Sequence, residues 1–188
     1  MKIGIGHLQN ENYPLALREL LIAEQIDSEN EEIQNNLGLA YLFRERFDLA
    51  ERHIRKALQI NSKYTEARVN LSRVLIERSK YEEAASEALK ATEDLTYGSP
   101  EKPLLFLGIS RFKQNQFAES QKILQRALEY QRENCLAQTY YGRSLFEQNE
   151  ASKASVALDK AASYCEKVQF DEPQYYSGLS YFQMGDKS

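Results

Sequence analysis

Small side chains recur in this sequence at a fixed interval. Ala23, Ala57, Ala91, Ala127 and Ala161 are separated by 34, 34, 36 and 34 residues. A second series, Ala16, Ala50, Ala84, Ser120 and Ala154, takes the same steps. Gly4, Gly38, Gly108, Gly142 and Gly178 form a third, with Ser72 in the remaining slot. Five of the eight glycines thus share one phase, so the pattern reflects position rather than abundance. A unit of this length cannot bury its apolar face alone, and it becomes stable only by stacking on its neighbours.

Within each unit the spacing reads as two helices, A and B. Small residues are required where two helix axes cross closely, because a larger side chain would force them apart. Tyr13, Phe47, Tyr81 and Phe117 stand three residues before the second small series, near the start of helix B. The apolar set Leu37, Tyr41, Ile54, Ala57 and Leu58 has helical spacing and no strand alternation. Pro14 falls in the A–B turn of the first unit, and Pro100, Pro103 and Pro173 fall at the start of a helix A. None occupies a helix interior, where proline costs about 3 kcal/mol. With 42% hydrophobic residues, 8 Gly and 4 Pro, the chain is too apolar for a disordered tail and too poor in breakers for an all-β fold.

These residues resemble the tetratricopeptide repeat (TPR), a 34-residue helix–turn–helix. Leu37-Gly38, Tyr41, Ala50, Ile54 and Ala57 spell it most fully. The usual early tryptophan is absent, and Ser28, Ser62, Thr96 and Arg132 replace the late proline. The expected fold is an all-α superhelix of antiparallel helix pairs forming one array. Its units are 1–30 (partial), 31–64, 65–100, 101–134, 135–170 and 171–188 (partial). Half-units leave apolar faces uncovered, so the natural product is expected to extend past both ends. Two extra residues lie in each of two seams, Tyr97-Gly98-Ser99-Pro100 and Val168-Gln169-Phe170-Asp171. They are expected to alter the local superhelical angle without breaking the stack.

Composition narrows function by exclusion. A net charge of -4 gives no general basic surface for nucleic-acid phosphates. The longest apolar stretch, Pro103 to Ile109, is far short of the roughly 20 residues a spanning helix needs, and no basic-then-apolar leader is present. Reactive groups are sparse. His7 and His53 do not form a helical metal pair, and Gly4-Ile5-Gly6 lacks the third glycine and preceding strand of a dinucleotide loop. Glu31-Glu32 and Glu82-Glu83 begin helices, where they complement the dipole. The reading is a non-enzyme with no cofactor and no metal site. Cys135 opens helix A of the fifth unit and Cys165 closes its helix B, so both lie at one end of a hairpin. Two separate buried thiols is the simpler reading, and a disulfide is the alternative.

Helices A of a TPR stack line a concave groove that takes peptides or helices. The position four residues after each glycine projects there, and it reads Leu8, Leu42, Ile76, Phe112, Phe146 and Phe182. The residue after the glycine adds Ile5, Leu39, Ile109 and Leu179, interrupted by Arg73 and Arg143. This spells an apolar strip bearing two cations, suited to amphipathic segments carrying an occasional carboxylate. Packing between successive helices A is the competing explanation for the same pattern. The clamp for acidic chaperone tails is a poor match. Its slots hold Asn35, Leu39, Asn70, Lys102 and Phe106, of which two agree.

Beyond the repeat, the chain resembles the lipoprotein pilotins of type IV pilus secretins, the PilF, PilW and Tgl group. The likeness lies in Gly4-Ile5-Gly6-His7-Leu8-Gln9 leading to Ala16, in Asn36-Leu37-Gly38-Leu39-Ala40-Tyr41, and in the lengthened third seam Ala91-Thr92-Glu93-Asp94-Leu95-Thr96-Tyr97 before Leu107-Gly108. The resemblance implies a protein on the periplasmic face of the outer membrane. Its membrane contact would come only through a lipid anchor upstream, and it would bind a secretin subunit and assist its assembly. The strip would shield an apolar segment of the secretin monomer. A cytoplasmic TPR adaptor for another peptide, or a TPR segment of a larger multidomain protein, are the rival expectations.

Overall fold

The described residues of the computed structural model, 2–10, 12–166 and 169–185, form eleven α-helices and no strand. The all-α expectation therefore holds. Val168 of the fifth seam lies outside the described residues. Local chemistry sets several helix starts. Before α3 (Glu31–Leu42), the Asn30 side chain accepts from the backbone N–H groups of Glu32 and Ile33, each at 3.1 Å. Asn134 serves α9 (Cys135–Glu147) through Ala137 at 2.9 Å. Both satisfy donors that have no partner inside the helix. Proline lies in the first turn of α2 (Tyr13–Ile26) and of α11 (Glu172–Gln183), where its missing N–H costs nothing.

The turn from helix A to helix B closes on one residue with left-handed backbone. Glu45, Ser79, Asn115 and Asn149 have φ of 57°, 59°, 60° and 61°, and Gly185 has φ of 80°. These positions keep the 34- and 36-residue steps of the small series. The turn geometry is thus common to five units, although only one of them uses glycine.

The chain divides into two compact units, Met1–Asp94 and Leu95–Ser188, with the division inside the lengthened third seam. Unit 1 contains α1 (Lys2–Gln9), α2, α3, α4 (Phe47–Ile60), α5 (Thr65–Glu77) and α6 (Tyr81–Thr92). Unit 2 contains α7 (Glu101–Lys113), α8 (Phe117–Tyr130), α9, α10 (Ala151–Cys165) and α11. Inside each unit consecutive helices pack on one another, as stacked helix pairs require.

The glycine series shows why the interval is kept. A Cβ on Gly38 would stand 2.3 Å from Ile54, one on Gly108 2.6 Å from Leu124, and one on Gly142 2.7 Å from Leu158. At Gly4 the distance is 2.9 Å, to Leu20. Each glycine is therefore a notch filled by the branched aliphatic residue sixteen positions later. All four plugs are fully buried, and burial of each contributes about 1.5–3 kcal/mol. Where the notch residue is the larger Ser72, the residue sixteen later shrinks to Ala88, and both are fully buried. Bulk is traded across the helix crossing, and its sum is held.

Candidate functional site

In unit 1, α3 and α5 carry the expected strip residues Leu39, Leu42, Arg73 and Ile76. Leu42 is buried in the cluster formed with Ile54, Leu71 and Leu75, and Leu39 and Ile76 pack against that cluster while half-exposed. Leu8 packs on the cluster around Leu20 and Leu37, and Ile5 is half-buried. Phe43, the last-turn neighbour of Leu42, is 39% exposed. Its ring stacks on Tyr13 at 4.7 Å, and the Arg73 guanidinium lies over it at 5.1 Å. The surviving surface is a patch of Leu39, Phe43, Arg73 and Ile76, apolar with one cation on a ring.

Unit 2 treats the same positions differently. Ile109 and Phe112 are buried. Phe112 meets Phe117 and Tyr140 edge-on at 5.3 and 5.2 Å. Arg143, with a side chain only 12% exposed, lies over Phe112 at 4.6 Å, Tyr176 at 4.4 Å and Tyr140 at 5.4 Å. It also pairs with Glu172 and donates to the Tyr176 hydroxyl at 3.1 Å. Phe146 meets Tyr176 edge-on at 5.7 Å. Leu179 is half-buried, and Phe182 is 72% exposed.

The apolar strip is therefore not an open lane. Leu42 and Phe112 are withdrawn from solvent because each packs against the next helix A, Ile109 is buried as well, and Arg143 joins α7, α9 and α11 instead of facing a ligand. Packing, the competing explanation, wins at these four positions. Asn70, one of the two residues that fit the chaperone clamp, is also consumed: it donates to Asn35 at 2.9 Å, both side chains buried. Phe43, Tyr140 and Tyr176 were not singled out by the repeat spacing. Their signal is an aromatic near each strip arginine, which a one-dimensional pattern does not rank.

Charged groups also concentrate in unit 1, away from the residues of that patch. Glu51, nearly buried, accepts from Arg55 at 2.8 Å, Arg78 at 2.6 Å and Lys80 at 3.1 Å. Burial works to raise its carboxyl, but the hydrogen bonds and charges of Arg55 and Lys80 outweigh that and hold it below the ordinary carboxylate value. Glu87 is held low in the same way by Lys90 and Arg68 against its own burial. His53 is buried against Gln34 at 2.8 Å, and burial holds its imidazole below the ordinary value despite the Glu24 carboxylate. These groups are spent on one another as helix-to-helix ties. Among the described residues no three His, Cys, Asp or Glu side chains converge to hold a metal ion.

The structure bonds Cys135 to Cys165, with Cα atoms 5.0 Å apart. The simpler expectation of two separate thiols gives way, because the antiparallel α9 and α10 bring the two ends within bridging distance. Cys165 is fully buried.

The sequence profile of the family described as tetratricopeptide repeat matches residues 1–65, 35–100 and 107–172. The chain belongs to the tetratricopeptide-repeat family. The family builds protein-binding scaffolds, and this TPR chain is one. Among solved structures it is similar to PilW, described as a widely conserved type IV pilus biogenesis factor. That match has 23% identity and a TM-score of 0.89 over 99% of this chain and 84% of that one. It is similar to PilF of Pseudomonas aeruginosa at 21% identity and a TM-score of 0.78, over 100% and 90% of the two chains. YrrB, described as a TPR protein with an unusual peptide-binding site, matches at 18% identity and 0.68, over 90% and 85%. At these identities the likeness is one of fold. No curated protein matches the TPR chain by sequence. No described helix is long and apolar enough to cross a membrane.

Proposed function

We propose that this TPR chain is a pilotin-like scaffold on the periplasmic face of the outer membrane, which binds a type IV pilus secretin subunit and assists its assembly. The observation that carries the reading is the likeness of fold to PilW over 99% of this chain. The Cys135–Cys165 bond supports an oxidising compartment and weighs against the cytoplasmic adaptor, since cytosolic thiols are kept reduced. Its action is binding, without bond-making. The docking surface is the unit 1 patch of Leu39, Phe43, Arg73 and Ile76, which offers apolar area and a cation to an amphipathic segment of the secretin monomer.

Deleting the gene in its host should remove heat- and detergent-resistant secretin multimers while monomer persists, and complementation should restore them. Multimers that persist at wild-type level in the deletion strain rule the proposal out. Replacing Leu39 and Ile76 together with lysine should abolish capture of purified secretin monomer without loss of helicity by circular dichroism. Undiminished capture would move the docking surface elsewhere.

A further inference from the structure

Six arginines among the described residues are half-buried, and five of them meet a carboxylate. Arg55 pairs with Glu51 and Glu83, Arg68 with Glu87, Arg78 with Glu51 and Asp48, Arg111 with Glu119, and Arg143 with Glu172. Arg73 is the sixth, and among the described residues it has no ion pair. Its guanidinium lies over the Phe43 ring at 5.1 Å. A ring takes the face of a guanidinium and leaves its N–H edge, with a fork of donors, for a planar anion. A half-buried cation without a counter-charge is costly unless something supplies one.

Arg143 shows what that something is. It follows Gly142 as Arg73 follows Ser72, so the two hold the same place in their units. Rings of Phe112 and Tyr176 lie on its guanidinium, and the Glu172 carboxylate accepts from one of its terminal nitrogens. Glu172 stands 29 residues after Arg143. In the sequence the residue 29 places after Arg73 is Lys102, so the repeat that grants an anion to Arg143 withholds it from Arg73.

We propose that Arg73 is the specificity-determining residue of the unit 1 patch, and that it takes a side-chain carboxylate from an amphipathic segment of the protein partner. This rests on the reading of that patch as the docking surface. Leu39, Phe43 and Ile76 receive the apolar residues that flank the acid in the segment. A segment that is apolar throughout would bury the guanidinium uncompensated, and is rejected for that reason.

The probe is a library of short random peptides displayed on phage by fusion at their C-termini, so that every acid on offer is a side chain. It is panned on the immobilised full chain. Peptides enriched by the wild type should carry an acid among aliphatic or aromatic residues, and Arg73→Gln should fail to enrich them. In fluorescence anisotropy with the leading peptide, Arg73→Gln and the exchange of the peptide's acid for its amide should each weaken binding by about tenfold or more. Together they should weaken it little further, since both delete one contact. Arg73→Lys should recover only part of the loss, because an ammonium lacks the fork. Circular dichroism checks that each variant keeps its helices. No enrichment, enriched peptides without an acid, equal binding by Arg73→Gln, or fully additive losses overturn the proposal. Peptides that behave as expected while purified secretin monomer is not captured uphold it and sink the secretin reading alone.

Discussion

Between Lys2 and Asp94 the polar interior consists of paired charges and amides, with Glu51 among Arg55, Arg78 and Lys80, and with Asn35 on Asn70. Between Leu95 and Gly185 it includes a disulfide, one arginine set among rings and paired with Glu172, and a run of hydroxyls in which Ser144 donates to Ser120 and Ser120 to the Gly108 carbonyl. The helical frame and its notches are alike in both units. What differs is the means of fixing neighbouring helices, and the means decide which change of surroundings each unit feels. Protons and salt act on the charge pairs of unit 1, whereas reductant acts on the bridge of unit 2.

The shared notches give the largest expected effect and test whether the frame is equivalent in the two units. Ile54→Ala and Leu158→Ala should each cost about 2–5 kcal/mol, because each empties a fully buried plug. Hydrogen exchange should show the loss confined to the unit that carries the substitution. Next comes the bridge, which closes a separation of 30 residues. Replacing Cys135 and Cys165 with serine should lower unit 2 stability by about 3 kcal/mol. Reductant should lower wild-type unit 2 by as much and leave unit 1 unmoved. Equal weakening of both units under reductant would break the contrast.

Glu51→Gln should cost unit 1 about 1–2 kcal/mol, since it removes a nearly buried carboxylate shared by Arg55, Arg78 and Lys80, although Arg78 keeps Asp48. The pH dependence follows in sign. Glu51 and Glu87 are held below the ordinary value of 4.5, so their contribution is complete above that pH and is lost as pH falls through their lower native values. His53 is held below 6.5, so its neutral form favours the folded state. That contribution is complete above pH 6.5 and fades as pH drops toward its native value. All three lie in unit 1. Acid unfolding followed by hydrogen exchange should therefore begin there, and Glu51→Gln should flatten the profile. The smallest effect belongs to Gly178→Leu, within about 0.5 kcal/mol of wild type by thermal unfolding, because among the described residues a Cβ there would meet nothing within 4 Å. Gly142→Leu should unfold readily, since its added Cβ collides with Leu158.

The helical frame was legible in the sequence because a small residue at a helix crossing is a local requirement repeated at fixed phase. The interval marked Gly38 and Gly108 as crossing positions, whereas their plugs Ile54 and Leu124 are seen only in the structure. The binding strip was legible only in part. Spacing tells which face of a helix an apolar residue occupies, but not whether a neighbouring helix covers that face. Leu42 and Phe112 were for that reason indistinguishable from Phe182 until their surroundings were known. The cysteines were similar, since spacing placed them at one end of a hairpin but did not decide between thiols and a bond. The Glu51 and Arg143 clusters left no periodic trace, because their members come from different helices and occur in one place each.

The left-handed residue at the end of five A-to-B turns among the described residues has a practical corollary. Unit 2 fills it with Asn115, Asn149 and Gly185, which tolerate that backbone well, whereas unit 1 uses Glu45 and Ser79. Both unit 1 positions face solvent, and a substitution at Ser79 gives up the bond that Tyr81 donates to it at 3.2 Å. An engineer wanting a hardier protein could start by placing asparagine or glycine at these two sites, with the core left as it is.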